Sequence, residues 1–562
     1  MQYLQPIHIN KLNMYSRISA FIVFSICSLQ GMAQRDSVKV AGGIDITSAY
    51  KPVLRNAVKI NFSGSQLSAD TSRPVFNYNV PSQNLFYAYQ PISLRPLALA
   101  QDSNLYLGNR HYVKAGFGSY TTPYVKAGFS FGDGRTSLVN ITGSYIGSKG
   151  NDIKFQDYSR INIKGAGSYF GEKNEVYGSA AVRQDKYYLY GYDHNKYPNI
   201  EKDDIRNQYE EINIAGGFRN TKPNDMGFSY NPNVDISYFT SKDKASETTI
   251  RLNVPVEKTL GESFRAKVEV AADLTKFSTI GYIPNNIKFN NNVVSIAPSI
   301  IYTSPLVKIN GGVTPTWNNG DFTLLPNIHA EAQLPEKNFA LQGGWIGRYT
   351  KNTLKNLVEV NPYLTPALFQ NNTKEMEYYG GIKATLGKHF NFSAKAGLVQ
   401  YTNLALLIND TSGVDNDNKF TVVNESKAKN FRIHGDISYI NQDKFTFTAG
   451  LTLNGYTNLK DNDKAWGTIP MEFTSSVRWW AFQRFMFKAD LYLFGGSKYI
   501  QKGNTFKTTD GGTDLSIGAE YRINKQFSLW LDANNIFNDK YERWHNYQVY
   551  GLNLVGGILI KF

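Results

Sequence analysis

Cysteine is almost absent from these 562 residues: Cys27 is the only one, and it lies in an N-terminal apolar stretch. Once that stretch is cleaved the chain has no thiol, and so neither a disulfide framework nor a cysteine-based metal or nucleophile site. Long hydrophobic runs are missing too. Past the N-terminus no apolar run approaches the ~18 residues of a membrane-spanning helix, and mean hydropathy is −0.38. Ordinary transmembrane helices are thereby excluded, while strands that show lipid only every second residue are not. The seven histidines, His8, His111, His194, His329, His389, His434 and His545, are dispersed, with no H-E-x-x-H spacing or close pair to found a zinc site. Basic blocks are absent as well: Lys and Arg are scattered among Asp and Glu, so the net charge of +14 is no nucleic-acid footprint.

What is abundant is aromatic: 14% of the chain, with Tyr 37 and Phe 34, a mix suited to many strands with rings at an interface. The N-terminus reads as a secretory signal. Lys11 and Arg17 precede an apolar run from Ile18 to Leu29, and Gly31-Met32-Ala33 sets small residues before a mature start at Gln34. Met14 to Ala33 is already a signal of ordinary length. Ile26 stands where a lipoprotein signal needs a small residue before Cys27, so simple cleavage is expected. Loss of residues 1–33 removes Lys11 and Arg17 and lowers the formal charge from +14 to +12.

From His111 onward the dominant pattern is period-two alternation in segments of roughly 10 to 14 residues, the length of a tilted membrane strand. Ile161, Ile163, Gly165, Gly167 and Tyr169 alternate with Arg160, Asn162, Lys164 and Ser168; Phe431, Ile433, Gly435, Ile437 and Tyr439 alternate with Arg432, His434, Asp436 and Ser438. Lipid outside and water inside explains the split, and a soluble sandwich would seldom need so many consecutive hairpins. Short connections at Gly132-Asp133-Gly134-Arg135, Gly171-Glu172-Lys173-Asn174, Pro335-Glu336-Lys337, Asn441-Gln442-Asp443 and Asn524-Lys525 take turns with long ones near 148–158, 186–208, 276–292, 350–375, 403–428, 495–513 and 536–549. Such alternation predicts short periplasmic turns and long extracellular loops. The expected fold is an all-β, large antiparallel transmembrane β-barrel over 111–562, with about 22 strands and a range of 18 to 22. Its location would be the outer membrane of a Gram-negative-type cell, with anionic outer-leaflet lipid or a basic lumen accounting for the positive charge. Residues 34–110, broken by Pro52, Pro74, Pro81, Pro91 and Pro96, are expected to be extended or loose. They would hang in the periplasm, enter the barrel or dock on a partner.

Little chemistry is legible. Gly128-Phe129-Ser130-Phe131-Gly132 fits a nucleophile-elbow pattern but sits in a strand entering a hairpin, not between strand and helix. Asp415-Asn416-Asp417-Asn418-Lys419 lacks the Gly and final Glu of a calcium loop and reads as a solvated loop. Trp479 and Trp480 suit a membrane interface. Tyr187, Tyr188, Tyr190, Tyr192 and Tyr197 are candidates for a ligand-binding outer loop, with a girdle or self-packed loop as the alternative. No cofactor or catalytic residue is expected, and an enzyme is not the preferred reading; a lipid hydrolase using Ser130 is the least favoured option.

The chain's last segments carry a resemblance. Asn535-Ile536-Phe537-Asn538-Asp539-Lys540-Tyr541, followed by a closing strand ending at Phe562, resembles the end of the barrel of TonB-dependent outer-membrane receptors. The resemblance covers the barrel and implies uptake or binding of an unknown ligand, with the barrel-assembly machinery reading Leu554, Ile558, Ile560 and Phe562. It stops at the N-terminus: residues 34–110 are too short for such a receptor's plug, and Asp36-Ser37-Val38-Lys39-Val40 is only faintly similar to a TonB box. A scaffold anchoring a periplasmic or surface protein partner is the alternative reading.

Overall fold

The computed structural model describes residues 111–279, 286–334, 338–365, 371–387, 389–411, 418–441, 444–501 and 505–562. The signal sequence, residues 34–110, and Asp36 to Val40 lie outside them. Every strand of the main sheet pairs antiparallel with its neighbours, and the first, Tyr112–Gly118, pairs with the last, Asn553–Lys561, closing the sheet on itself. Phe228–Tyr230 and Asn233–Ser241 occupy one position in the wall, interrupted at Asn231-Pro232, so the barrel has 22 strands. Proline cannot donate to a ladder and marks such a break. Closure leaves no unpaired edge, the condition for strands in hydrocarbon.

The alternation read from sequence becomes an inside and an outside. Ile161, Ile163 and Tyr169 are exposed on the outer wall, as are Phe431 and Ile433. On the closing strand Leu554, Ile558 and Phe562 point outward while Val555 and Leu559 are buried within; Ile560 is half-buried on the outer face. At the seam Gly116 pairs with Gly557, and the Trp530 indole lies across the inner face of both. A Cβ on Gly116 would come 2.4 Å from that ring, so a flat indole there demands glycine. Around strands Thr373–Leu386, Phe390–Asn409, Phe420–Asn441 and Phe445–Thr457 the register stacks five outward rows of apolar or small side chains, from Tyr378, Leu398 and Phe431 down to Leu386, Phe390, Tyr439 and Phe447. At ~3.4 Å per residue and the usual tilt these rows cover about 25 Å, the height of a barrel's apolar band. Trp479 is exposed near the turn-side end of its strand, and the Arg522 guanidinium lies 4.5 Å from the Trp480 ring.

The lumen wall is polar, and many of its charges are paired. Arg251 pairs with Asp235 and Asp273, Arg348 with Glu375, Lys383 with Glu331 and Lys488 with Asp532. These pairs offset part of the inward positive charge, while Lys267, Lys308, Lys383 and Lys395 all lie within electrostatic reach of His329.

Turns gather at one end and loops at the other, and the barrel's two ends meet on the turn side, where the His111 amide donates to the Phe562 carbonyl. Asp133 shows how a short turn is held: its carboxylate accepts from the amides of Ser137, Arg135 and Thr136, and those hydrogen bonds keep it well below the usual carboxylate range. The loop side departs from the expected rhythm in three places, where residues 119–121, 242–244 and 319–320 make tight hairpins. Asn319 and Gly320 both take positive φ, +53° and +97°, the two-residue turn that an Asn-Gly pair encodes. Two expected loops are shorter than predicted: strands run to Thr279 and from Ile287, and again to Asn409 and from Phe420. The polar residues within 276–279, 287–292, 403–409 and 420–428 stand on strands that rise above the apolar band. The connection 458–470 escaped the sequence reading altogether.

Because Leu451 lies mid-band and Thr457 on the same strand lies above it, Leu451→Arg is expected to destabilise the barrel by about 2–4 kcal/mol and Thr457→Arg by about 0–1. Reversible denaturant unfolding in lipid vesicles measures both; equal costs would refute the placement of the band.

Candidate functional site at the barrel mouth

A 22-stranded barrel encloses a lumen too wide for its own wall side chains to fill. Here the loop end is spanned by a layer of loops with an aromatic core. Its centre is the segment 351–365, which carries the helix α1, Leu354–Val360. Thr353 caps α1 by accepting the Asn356 amide, and Leu354, Leu357 and Val358, spaced as one helical face, are buried. The segment does not stand up into solvent; it runs inside the rim, held by inward-facing charges of successive strands. Lys351 reaches the Asp273 carboxylate at 2.6 Å and the Thr275 hydroxyl at 2.6 Å. The Leu354 and Lys355 amides donate to the Glu247 carboxylate at 2.5 and 2.9 Å. Lys355 pairs with Glu211, and Glu359 with Arg183 at 2.9 Å. Arg183 continues to Asp185, Arg160 and the Tyr187 hydroxyl.

Past α1 the chain meets loops from the far side of the barrel. The Pro362 carbonyl accepts from Asn207 at 2.7 Å and from the Tyr209 hydroxyl at 3.0 Å. The Tyr363 ring stacks on Tyr547 of the last loop, and Tyr190 meets both edge-on at 6.0 and 4.9 Å. Leu364 bridges to Phe420. Hydroxyls and amides then tie loop to loop: Tyr547 and Tyr550 donate to the carbonyls of Asn418 and Gln156, Tyr190 to that of Gln548, and the Asn418 amide to that of Leu189. Burial pushes the phenols of Tyr190, Tyr363, Tyr547 and Tyr550 above their ordinary pKa, so all four stay protonated donors.

The tyrosines singled out from sequence divide. Tyr187, Tyr190 and Tyr192 are buried in this core, while Tyr188 and Tyr197 are half-buried against it, under the ammonium groups of Lys202 and Lys196. The Asn535 to Tyr541 motif gains a physical role. Asn535 and Asn538 both adopt positive φ, Asn535 donates to the carbonyls of Asp539 and Tyr550, and Asn538 accepts the Leu552 amide. The motif thus folds the last loop over the mouth and fixes Tyr547 in place. Sequence reading missed α1, Tyr363, Tyr547 and Gln156. The one available signal was Thr353 ahead of Leu354, Leu357 and Val358 at helical spacing.

One charge in the layer stands out. Arg543 is buried, stacks 4.0 Å from Trp544 and donates to the Gly467 carbonyl, while its Nη1 and the Trp544 Nε1 have no hydrogen-bond partner among the described residues. Burial pulls its guanidinium down to about 10, still protonated at neutral pH. No catalytic constellation accompanies these groups. Ser130 donates its hydroxyl to Asn140, and the His111 ring accepts the Ser130 backbone amide rather than the hydroxyl. Among the described residues no three His, Cys, Asp or Glu side chains cluster to hold a metal. Asp415, Asn416 and Asp417 lie outside the described residues; Asn418 belongs to the layer.

The closed 22-strand wall with its apolar band and loop-covered mouth shares its fold with solved outer-membrane receptor barrels. Solved structures with this fold include the FrpB iron transporter from Neisseria meningitidis (TM-score 0.62, 11% identity, 81% of each chain). The ferric-catecholate import receptor Fiu from E. coli K12 in a closed form is similar to the same degree (TM-score 0.62, 11% identity, 81% of this chain and 82% of that one). The pyoverdine outer membrane receptor FpvA of Pseudomonas aeruginosa, bound to pyoverdine, matches at TM-score 0.60 and 12% identity over 80% of this chain and 78% of its own. No sequence-family profile and no curated protein matches the chain.

Removing the ring that fills the centre of the layer tests its cohesion. Tyr547→Ala is expected to loosen the layer by about 3 kcal/mol, which accelerates hydrogen exchange at the amides of α1 on the order of a hundredfold and leaves mid-strand amides unchanged.

Proposed function

We propose that the chain is a receptor-like outer-membrane barrel that takes up or binds a ligand at its outer mouth, with the loop layer as the barrier that the ligand must displace. The observation that supports this reading is the way segment 351–365 lies across the mouth. It is anchored through Lys351, Lys355 and Glu359 to separate strands, meets the last loop through side chains, and joins the wall by backbone at a single bridge, Leu364 to Phe420. A permanent stopper would gain by joining the sheet along a whole strand; one short bridge and side-chain rivets between loops separate and reform without breaking a long ladder. Tyr188 and Tyr197, half-buried at the layer's edge, are the ligand-loop tyrosines with ring surface left to offer. The iron and pyoverdine named for the structural neighbours make a small chelated metal a first ligand class to screen. Leu554, Ile558, Ile560 and Phe562, on the outer face of the closing strand, are proposed as the signal read during barrel assembly.

A second reading, a scaffold for a periplasmic or surface complex, is favoured by the same burial of Tyr187, Tyr190 and Tyr192, which leaves the mouth closed to solutes. Conductance in planar bilayers separates the two. Under the uptake reading the full chain conducts little, and replacing 353–363 by a short Gly-Ser linker produces steady channels. Unchanged current in that variant refutes the layer as barrier, and removal of residues 34–110 then shows whether that segment blocks the lumen instead. A stable partner captured at native expression, together with a variant that stays closed, would establish the scaffold.

A further inference from the structure

The last loop carries a charge that the proposed uptake does not use. Arg543 and Trp544 stand where the short pair Glu542–Trp544 and Tyr547–Gln548 folds that loop back on itself. Both side chains are only 3% exposed. The guanidinium lies over the indole at 4.0 Å, and Phe420 meets the same ring edge-on at 5.4 Å. Gly467 closes the remaining side: a Cβ there would come 2.8 Å from the Leu407 carbonyl oxygen and 3.0 Å from the indole. Arg543 donates to the Gly467 carbonyl at 2.8 Å. Its Nη1 and the Trp544 Nε1 are buried donors with no hydrogen-bond partner among the described residues. Because the guanidinium covers the ring, the two unmatched donors belong to one small site.

The acids around the loop are engaged elsewhere. Glu542 accepts the Asn546 amide and faces His545 at 3.4 Å. Asp514 accepts the Tyr541 hydroxyl at 3.0 Å, and Asp539 accepts the Thr513 amide at 3.2 Å. Glu472 attracts Arg543 across space without pairing with it. A buried charge that lacks a counter-ion is strongly disfavoured, and Arg543 keeps its proton at neutral pH. The groups to be matched are N–H donors only, so their partner is a pure acceptor with a negative charge. Water supplies the acceptor but not the charge. Carboxylate and phosphate ions bring three or more heavy atoms into surroundings too tight for a methyl group on Gly467; a single-atom anion fits. We infer that Arg543 and Trp544 bind one halide ion, chloride from the medium on the loop side, which ties the last loop to the connection 458–470. The inference is independent of whether the mouth opens.

Charge-assisted hydrogen bonds to a buried cation shift a local opening equilibrium on the order of thirtyfold. The test uses the full chain folded in detergent and dialysed into sodium gluconate, then titrated with sodium chloride at constant ionic strength. Hydrogen exchange is read at the amides of residues 541–549. In wild type, chloride is expected to slow that exchange about thirtyfold and then saturate, while mid-strand amides stay unchanged. Arg543→Met keeps a long side chain and removes its charge; it is expected to exchange at one rate in both salts. Lys464→Met removes a different cation from the connection 458–470, one that lies over the Phe506 ring, and is expected to keep the chloride response. Wild-type crystals grown in bromide are expected to show an anomalous-scattering peak beside Arg543 Nη1 and Trp544 Nε1, a readout that needs no variant. No slowing relative to gluconate, an undiminished response in Arg543→Met, an equal loss in Lys464→Met, or no bromide at the site would each overturn the proposal.

Discussion

Hydrocarbon offers no partner to a peptide N–H or C=O, and the rest of this molecule follows from that. A sheet in lipid must close, and this one closes where Tyr112–Gly118 meets Asn553–Lys561. That contact joins residues more than four hundred positions apart and depends on a glycine pair that lets one indole lie flat. Closure dictates alternation, because each strand then has one face in lipid and one in the lumen. It also dictates a problem: a ring of 22 strands encloses space that its own side chains cannot occupy.

The loops answer that problem with the residue best suited to it. A tyrosine ring buries as a phenylalanine does, while its hydroxyl reaches a loop carbonyl that has no ladder to join. Tyr190, Tyr209, Tyr547 and Tyr550 all use their hydroxyls in this way, on Gln548, Pro362, Asn418 and Gln156. The aromatic richness of the sequence therefore has two origins. Some rings, such as Trp479 and Tyr378, face outward on the wall; others form a core that happens to lie across an opening rather than inside a sandwich.

This division explains what could be read in advance. Strands were legible because alternation is local: Ile161 to Tyr169 or Phe431 to Tyr439 state their faces without reference to any partner. The loop layer was not, because its contacts join distant segments, Tyr363 to Tyr547 and Gln156 to Gln548 among them, and no short window holds both halves. Tyr187 to Tyr197 could be noticed as a cluster, but whether those rings serve a ligand or each other depends on Tyr363 and Tyr547. Strand ends were misplaced for a related reason. Lys276, Lys288 and Lys427 look like loop residues, since hydrophobicity ends at the lipid boundary while hydrogen bonding continues above it.

The layer joins two kinds of contact that respond differently to opening. Ion pairs from Lys351, Lys355 and Glu359 regain water as they separate, so their rupture costs little beyond the side-chain order they lose. The stacked rings of Tyr363, Tyr547 and Tyr190 regain nothing when exposed, and their hydroxyls exchange one acceptor for another. The threshold for opening is thus set at the aromatic centre, and the charged anchors determine which way the segment returns. On the proposed uptake reading, a ligand bringing ring surface and hydrogen-bond acceptors to the edge near Tyr188 and Tyr197 would replace part of what the rings lose.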